Sequence, residues 1–519
     1  MEDKGVGGKI LKGTIVIVLV GILAKCTSFI SEAILAAYLG TNATSDAYYM
    51  ISGVHQVVYP MLGIGVWKVF LPLYKKHITL GQNEEARALA NRAITFFTLI
   101  SAAVVLLIVI FAGPVVSVVA PGFQGETKEL CITLVRIASP MFIFIIASAV
   151  YAAMLQCHNK FLGSQIREVA SHIPTILAAV LLYHRFGIKV MAAALVVGGG
   201  VRLLIELPFV SWGYHYRPDH HFRTPEFSQM LRKLPAALLM EGAVKLNTLI
   251  DKAMGSTLPA GTISGMNYGQ KLVNVFSGLL STAVSTALYP QMVELIALQK
   301  REELSRVVAK ILNIFCLLML PVTFACVLFR TELVSAVYQR GNFTADSVAM
   351  TAGVFAFYIL AIYFTAGSSV LNNLFYGNGD TRTPMFISIG ALVFNVGLNL
   401  ALIGPMGVNG LALATSLTSI VSYFVRLLVV SKYLDLPWKP MCAAALKALA
   451  ASALSCFGPW LLLRQFALNK YWTLLIAALL GVGLYLLCMY LLRVKELGEI
   501  LTLLRKKLKK KSQSKQDFQ

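Results

Sequence analysis

The stretch KCTSFISEAILAAYLG, residues 25–40, places a lysine and a glutamate inside a run of otherwise membrane-like sequence. Apolar runs of this kind recur along the chain, and about 20 apolar residues are what an α-helix needs to cross the hydrocarbon core. Of the 519 residues, 57% are hydrophobic and only 13% are charged. The sequence therefore predicts an all-α polytopic membrane protein, in which Lys25 and Glu32 need a specific reason to lie within a membrane helix.

Fourteen apolar segments can be distinguished, and we interpret each as a transmembrane helix. The first lacks a small-residue cleavage site and is followed by many others, so we expect it to be retained and not removed as a signal peptide. The approximate ranges are 10–39, 47–74, 93–119, 129–155, 168–184, 189–212, 235–256, 262–290, 307–329, 348–376, 384–403, 408–430, 442–464 and 471–493.

The loops between these segments differ in their content of Lys and Arg, which cytoplasmic loops retain. The side of Met1 is much the richer and includes the basic tail 494–519. The opposite side contains Lys128, Arg185, Lys189, Arg330, Arg340, Arg464 and Lys470. We therefore expect both termini in the cytoplasm. The net charge of +21 reflects this asymmetry, and we expect the tail to meet solvent or anionic lipid and not nucleic acid.

An internal repeat relates two parts of the chain. At a spacing of 218 residues Pro72 matches Pro290 and Phe97 matches Phe315, and each match marks an equivalent helix end or membrane entry. Six helices separate the copies, so the copies share one orientation and are expected to be related by an axis along the membrane normal.

This repeat predicts two parallel-repeat six-helix lobes around a central cavity, plus two additional C-terminal helices. The expected divisions are 1–234, 235–441, 442–493 and the tail 494–519. Such an architecture is typical of a transporter with alternating access, whereas a channel would need a filter loop, and the sequence shows none. No loop is long enough to form a catalytic domain, so we do not expect an enzyme.

Ionisable residues recur in the first helices of both lobes. A charge at the bilayer centre costs about 2.5–3.5 kcal/mol on insertion scales, so such residues usually face a bundle interior or a wet cavity. Lys25 and Glu32 are seven residues apart and share one helix face. Lys245, Lys252 and Lys271 repeat the pattern in helices seven and eight. We expect these side chains to line a cavity with more lysines than carboxylates, which suits an anionic cargo such as a diphosphate-linked lipid.

Helix six carries a further charged pair, Arg202 and Glu206. Because the two residues are four apart on one helix, we expect them to neutralise each other as a structural pair.

The region between Phe343 and Thr418 contains three motifs. They are Gly379-Asp-Thr-Arg-Thr-Pro384, Asn395-Val-Gly-Leu-Asn399 and Gly410-Leu-Ala-Leu-Ala-Thr-Ser416. With them the chain resembles the MurJ (MviN) lipid II flippases of the multidrug/oligosaccharidyl-lipid/polysaccharide exporter superfamily. The resemblance implies transport of undecaprenyl-diphosphate-linked peptidoglycan precursor from the inner to the outer leaflet of the bacterial cytoplasmic membrane.

The resemblance also implies substrate-binding roles for individual residues. Lys25 lies where the family has a cavity arginine, and Glu32 where it has an aspartate. Asp46 matches an acidic residue at the start of helix two, and Lys271 matches an arginine of helix eight.

The chain departs from the family pattern at two positions, where Ser31 and Tyr59 replace arginines. Arginine binds a diphosphate bidentately whereas lysine acts as a point charge. These departures leave the exact cargo open, and Lys245 and Lys252 are expected to supply replacement charge.

A sodium site is also implied by the resemblance, with Asp251, Asn395, Asn399 and Thr415 at the matching positions. Hard oxygen ligands suit a hard cation, while asparagines that pack helices together are the alternative interpretation. Coupling to sodium, to protons or to the membrane potential stays open, and no other cofactor is expected.

Three functions remain open. The favoured one is a lipid II flippase of cell-wall biogenesis. The second is a flippase for another undecaprenyl-linked oligosaccharide, of the capsule or O-antigen type. The third is a transport-inactive scaffold that recruits cell-wall synthesis proteins through its basic tail. The expected partners are the lipid-linked glycan, membrane lipids and such proteins, without nucleic acid.

Overall fold

The computed structural model describes residues 3–210, 214–466 and 469–492, and within them the regular structure is helical. We number the long helices α1 to α14. They are α1 Asp3–Leu39, α2 Ala43–Thr79, α3 Asn83–Ile110, α4 Gly125–Cys157, α5 Phe161–Phe186, α6 Ile188–Val210, α7 Pro225–Gly255, α8 Thr262–Ala297, α9 Arg301–Leu328, α10 Ala345–Gly377, α11 Arg382–Met406, α12 Val408–Val430, α13 Trp438–Leu463 and α14 Lys470–Leu491. Short helices, Ala112–Val119 and Arg330–Tyr338, follow α3 and α9.

Each of the predicted segments overlaps one of these helices, and the third, 93–119, also includes the short helix Ala112–Val119. In the described part of the chain, 12 helices are long and apolar enough to cross a membrane. The remaining two long helices are α7 and α8, of which α7 carries Lys245, Asp251 and Lys252. The prediction of an all-α polytopic membrane protein is confirmed, and its count of 14 helices is consistent with the structure.

The chain divides into two compact units. The first comprises Met1–Lys271, Tyr338–Ser347 and Val396–Leu411, and the second comprises Leu272–Val337, Val348–Asn395 and Ala412–Gln519. Helix α7 packs against α2 within the first unit. The functional division into lobes 1–234 and 235–441, with 442–493 added, stays a prediction. The basic tail 494–519 lies outside the described residues.

A tight turn joins α1 to α2. Gly40 adopts a φ of +61°, in the left-handed region that favours glycine, and α1 ends there. Asn42 then caps α2, because its side chain accepts a hydrogen bond from the backbone N–H of Ser45 while the Ser45 hydroxyl accepts one from the N–H of Asn42. This reciprocal cap fixes the start of α2 and places Asp46 in its first turn.

Helices α2 and α5 each contain one wide π-helical turn. The turns are Pro60–Ile64 in α2 and Ala178–Leu182 in α5. Proline lacks the N–H that the α-helical ladder requires, which explains the irregularity that begins at Pro60. Both helices line the cavity described below.

The apolar core of the first unit lies between α2, α3, α4 and α7. Its buried members include Phe70, Phe97, Met154 and Phe227. In the second unit, Ala448 and Ala451 of α13 belong to a smaller core that also contains residues of α9 and α14. Small residues at such contacts let membrane helices approach closely.

Candidate functional site

A cavity of about 250 Å³ lies in the first unit, between α1, α2, α4, α5, α6 and α8. Its charged or phenolic lining includes Glu32, Tyr59, Glu168, Arg202 and Lys271. Ionisable groups are costly within apolar helices and usually mark a functional path when they face a cavity. This cavity is therefore the candidate functional site.

One wall of the cavity is built around Glu32 of α1, which is 6% exposed. The side-chain amide of Asn267 donates a hydrogen bond of 2.6 Å to Oε1 of Glu32. The ammonium of Lys271 lies 3.6 Å from Oε2 of Glu32 and 3.5 Å from the hydroxyl of Ser28. Asn267 and Lys271 are one helical turn apart on α8, so both reach the same carboxylate. The structure thus brings the predicted residues Glu32 and Lys271 together.

A second polar group on the cavity wall joins α2, α5 and α6. The guanidinium of Arg202 donates to both the Tyr59 hydroxyl and the Glu168 carboxylate. It also lies over the Tyr59 ring, 4.5 Å from the ring centroid. The Tyr59 hydroxyl donates to the Glu168 carboxylate over 3.2 Å. Arg202 is therefore held over an aromatic ring and bound to one carboxylate.

Behind this group, a second ion pair joins α5 to α6. Nη1 of Arg167 lies 3.2 Å from the fully buried Glu206 carboxylate and also donates to the backbone oxygen and hydroxyl of Ser148. The expected pairing of Arg202 with Glu206 is therefore wrong. Both side chains pair with α5 instead, because α5 packs against α6 and offers partners with opposite charges.

The charges that line the cavity are balanced. Glu32 and Glu168 contribute two negative charges, and Lys271 and Arg202 contribute two positive ones. The sequence predicted an excess of lysines, and this cavity does not show it.

Two of the predicted lysines, Lys25 and Lys245, have exposed side chains and are not part of the lining. Lys252 is only 3% exposed, and its ammonium donates to the backbone oxygen of Tyr49 over 3.0 Å. Gly53 leaves room for it, since a Cβ there would lie 2.7 Å from Cδ of Lys252. The roles of these three lysines in cargo binding stay predictions.

Asp46 is buried away from the cavity lining. Its carboxylate accepts hydrogen bonds from the backbone N–H groups of Gly261 and Ser264, both over 2.7 Å. The structure therefore gives Asp46 a capping role at the start of α8, and a direct contact with cargo stays a prediction.

The four residues of the predicted sodium site fall in both units. Asn399 donates a hydrogen bond of 2.7 Å to the Asp251 carboxylate in the first unit, and both residues are buried. Asn395 is buried and Thr415 half-buried, and both belong to the second unit. The carboxylate and amide oxygens fit a hard cation chemically. Across the described residues, no group of three His, Cys, Asp or Glu side chains could hold a metal ion.

Sequence reasoning missed Glu168 and Arg167. The fifth segment was predicted to begin at residue 168, so Arg167 was counted with a loop, whereas α5 begins at Phe161. The signal was nevertheless present, because a glutamate inside an apolar segment is itself a reason to look for a cationic partner.

A family model described as "Lipid II flippase MurJ" matches residues 35–482. The chain belongs to the MurJ family. The probable lipid II flippase MurJ of Thermotoga maritima is 25% identical over 499 residues, which cover 95% of this chain and 98% of that protein. The lipid II flippase MurJ of Burkholderia cenocepacia is 26% identical over 405 residues, covering 76% of this chain and 78% of the other.

The MurJ fold is also seen directly in a solved structure described as lipid II flippase MurJ in an inward closed conformation. It matches with a TM-score of 0.80 and 22% identity, over 92% of this chain and 98% of the other. The resemblance noted from the sequence is thus confirmed. In this member of the MurJ family, the two positions that depart from the arginine pattern, Ser31 and Tyr59, both line the cavity. Tyr59 there holds a guanidinium that comes from α6.

Proposed function

We propose that this protein is a lipid II flippase, which moves the undecaprenyl-diphosphate-linked peptidoglycan precursor from the inner to the outer leaflet by alternating access. The family match over residues 35–482 carries the proposal. The charged cavity supports it, because a diphosphate headgroup needs a polar passage while its polyprenyl tail remains in apolar surroundings. The process forms and breaks no covalent bond, so we propose a carrier and not an enzyme.

Of the lysines predicted to bind the cargo, Lys271 is the one that lines the cavity. In this proposal the cargo diphosphate binds to its ammonium group. Its side chain is 30% exposed, whereas its partner Glu32 is 7% exposed. An arriving diphosphate competes with Glu32 for the ammonium, and Asn267 continues to satisfy the carboxylate. Lys25, with its exposed side chain, supplies further positive charge along α1.

The same proposal includes the membrane arrangement and the coupling. The protein is a multi-pass protein of the bacterial inner membrane with both termini in the cytoplasm, as the distribution of Lys and Arg supports. Sodium, protons or the membrane potential drive the cycle, and Asp251 with Asn399 would contribute to a sodium site. Cell-wall synthesis proteins are proposed as further partners of the tail 494–519.

The test is complementation in bacteria depleted of their own lipid II flippase, with growth and outer-leaflet lipid II as readouts. We expect the parent to restore both, and Lys271→Glu to restore neither, because the variant places two carboxylates side by side. Lys300→Glu, at an exposed surface pair with Glu303, is the matched control and should behave as the parent.

A parent that inserts normally yet restores neither readout would contradict the assignment to lipid II. Export of another undecaprenyl-linked oligosaccharide would then be assayed in the same cells. Deleting residues 494–519 separates a carrier from a scaffold, since a carrier retains outer-leaflet exposure of lipid II without the tail.

A further inference from the structure

We propose that Arg202 of α6 is a second anion-binding group of the cavity and that Glu168 of α5 is its exchangeable counter-ion, which the cargo diphosphate displaces. The identity of the cargo rests on the proposed function. The two residues were not among the predicted binding residues, and their geometry carries the argument.

The first observation is the burial of the cation. Arg202 is 5% exposed, lines the cavity, and has a buried Nε with no hydrogen-bond partner among the described residues. A buried guanidinium that loses its counter-ion is costly, so it requires an anion at all times. Glu168 is the carboxylate that its guanidinium contacts. Any step that removes Glu168 must therefore bring another anion.

The second observation is an asymmetry between the two partners. The side chain of Glu168 is 36% exposed, whereas that of Arg202 is 6% exposed. Glu168 can therefore turn towards water at modest cost, while Arg202 cannot. Arg167 also lies near Glu168, with its Nε 3.7 Å from Oε1, but its Nη1 is closer, at 3.2 Å, to the fully buried carboxylate of Glu206. If Glu168 leaves, Arg167 therefore retains the Glu206 carboxylate, whereas Arg202 loses the carboxylate with which it forms an ion pair.

The third observation is how Arg202 is held. Its guanidinium lies over the Tyr59 ring and donates to the Tyr59 hydroxyl, so Tyr59 fixes its position from one side. A fixed planar guanidinium suits the bidentate recognition of a phosphate. The Tyr59 hydroxyl, which now donates to Glu168, would donate to the same phosphate oxygen.

The fourth observation is a second cation in the same cavity. Lys271 lines it together with Arg202, and each of them is paired with one carboxylate. A diphosphate presents two phosphate groups and matches this pair of cations. In the resting state, Glu32 and Glu168 thus occupy the positions that the two phosphates take when the cargo binds.

The alternative interpretation is that Arg202 and Glu168 form a purely structural ion pair. The two interpretations predict different changes in the affinity for a diphosphate lipid when Glu168 is replaced. Glu168→Gln removes the competing anion and leaves Arg202 in place. If Glu168 is an exchangeable counter-ion, this variant binds a diphosphate lipid more tightly than the parent. If the pair only holds α5 to α6, the variant binds equally or more weakly.

The experiment measures the dissociation constant of undecaprenyl diphosphate for the full-length protein in nanodiscs. Arg202→Gln should weaken binding by about 10- to 100-fold, the equivalent of one charge-assisted hydrogen bond. Glu168→Gln should tighten binding several-fold. The double variant R202Q/E168Q removes both charges of the pair, so it should unfold at the same temperature as the parent. Its affinity for undecaprenyl diphosphate should nevertheless be as low as that of Arg202→Gln.

The matched control is the exposed pair of Arg87 and Glu84, which lies at the start of α3 with an N–O distance of 2.8 Å. The variant R87Q/E84Q should bind as the parent does. A double variant R202Q/E168Q that folds and binds like the parent would overturn the inference. So would a Glu168→Gln variant that binds no more tightly than the parent.

The outcomes also separate this inference from the proposed function. If the parent binds undecaprenyl diphosphate through Arg202 but does not expose lipid II on the outer leaflet, the binding site stands and the lipid II assignment fails. If the parent exposes lipid II and R202Q/E168Q does so equally well, the assignment stands and the role of Arg202 fails.

Discussion

The carboxylate of Asp46, in the first turn of α2, accepts hydrogen bonds from the backbone N–H and the hydroxyl of Ser264, in the first turn of α8. The first N–H groups of a helix have no partner within it, and they form the positive end of the helix dipole. Asp46 therefore connects the N-terminus of α2 to the N-terminus of α8 through buried hydrogen bonds.

Substitutions of Asp46 and Ser264 should lower the free energy of unfolding by different amounts, according to how many of these hydrogen bonds each one removes. We expect Asp46→Ala to lower the free energy of unfolding by about 2 kcal/mol, since it removes the side-chain acceptor of a helix start. Asp46→Asn keeps one acceptor oxygen and should cost less. Ser264→Ala removes only the hydroxyl donor and should cost least. Thermal unfolding of the purified variants measures the order of their stabilities. An Asp46→Ala variant that unfolds at the same temperature as the parent would contradict the prediction.

A second prediction concerns the close approach of Gly341 to α1. Gly341 has a φ of +55°, and a Cβ there would lie 2.4 Å from the backbone oxygen of Ala37. The neighbouring Asn342 N–H donates to the same oxygen over 2.8 Å. We expect Gly341→Ala to destabilise the protein by more than about 2 kcal/mol, because backbone strain and a backbone clash act together.

Gly81→Ala is the matched control for that variant. Gly81 has a φ of +74°, but a Cβ there would meet nothing within 4 Å. It should therefore show only the strain of the left-handed conformation, about 1 kcal/mol. Equal unfolding temperatures for the two variants would show that the contact with Ala37 contributes nothing.

A third prediction concerns the space that Gly53 leaves for Lys252. In Gly53→Ala the new methyl group would displace the lysine side chain, and the ammonium would lose the backbone oxygen of Tyr49. Leaving a buried ammonium without this acceptor should cost about 1–3 kcal/mol. The double variant G53A/K252M has no ammonium to satisfy, so Gly53→Ala should cost less in that background. A double-mutant cycle on unfolding free energies measures the coupling, and strict additivity would refute it.

The fourth prediction is a dependence on pH at the loop before α7. Asp219 lies in this loop and pairs with Arg92 of α3 at 2.8 Å. Partial burial acts to raise the pKa of Asp219, but hydrogen bonds from His221 and the contact with Arg92 outweigh it, so its pKa is lower than usual. The resulting stabilisation is complete above about pH 4, the ordinary pKa of aspartate, and is lost as the pH falls through the lowered value.

Asp219→Asn should therefore destabilise the protein at pH 7, by on the order of 1 kcal/mol. The difference from the parent should shrink as the pH falls below about 4. Urea unfolding across this pH range, or hydrogen exchange of residues 214–224, provides the measurement. A difference between variant and parent that stays constant down to pH 3 would argue against the pairing of Asp219 with Arg92.

Helix positions could be predicted well from the sequence because hydropathy is a local property. The ninth segment was predicted at 307–329, and α9 spans Arg301–Leu328. The predicted start lies several residues after the observed one, because the first turns of α9 carry charged residues. The same cause delayed the predicted start of the fifth segment, so Arg167 was assigned to a loop and not to a helix.

The pairing of charges could be predicted only in part. A seven-residue spacing placed Lys25 and Glu32 on one face, yet Glu32 pairs with Lys271 and lines the cavity, whereas Lys25 is exposed. Arg202 was expected to pair with Glu206 on its own helix, but Glu168 lies on the helix that packs against it. Such pairings depend on how each helix is rotated against its neighbours, and a single sequence does not contain that information.

The three contacts that bind the first part of α8 have one further consequence. Ser264, Asn267 and Lys271 follow one another at intervals of about one turn, and they bind the carboxylates of Asp46 and Glu32. Rotating α8 by one residue, about 100°, would break all three contacts together. A partial rotation would remove hydrogen-bond or ion-pair partners from two buried carboxylates at once, which is costly in apolar surroundings. Spin-label distances between α8 and α1 should therefore fall into two discrete populations, because α8 can occupy a bound or a released position but not a continuum between them.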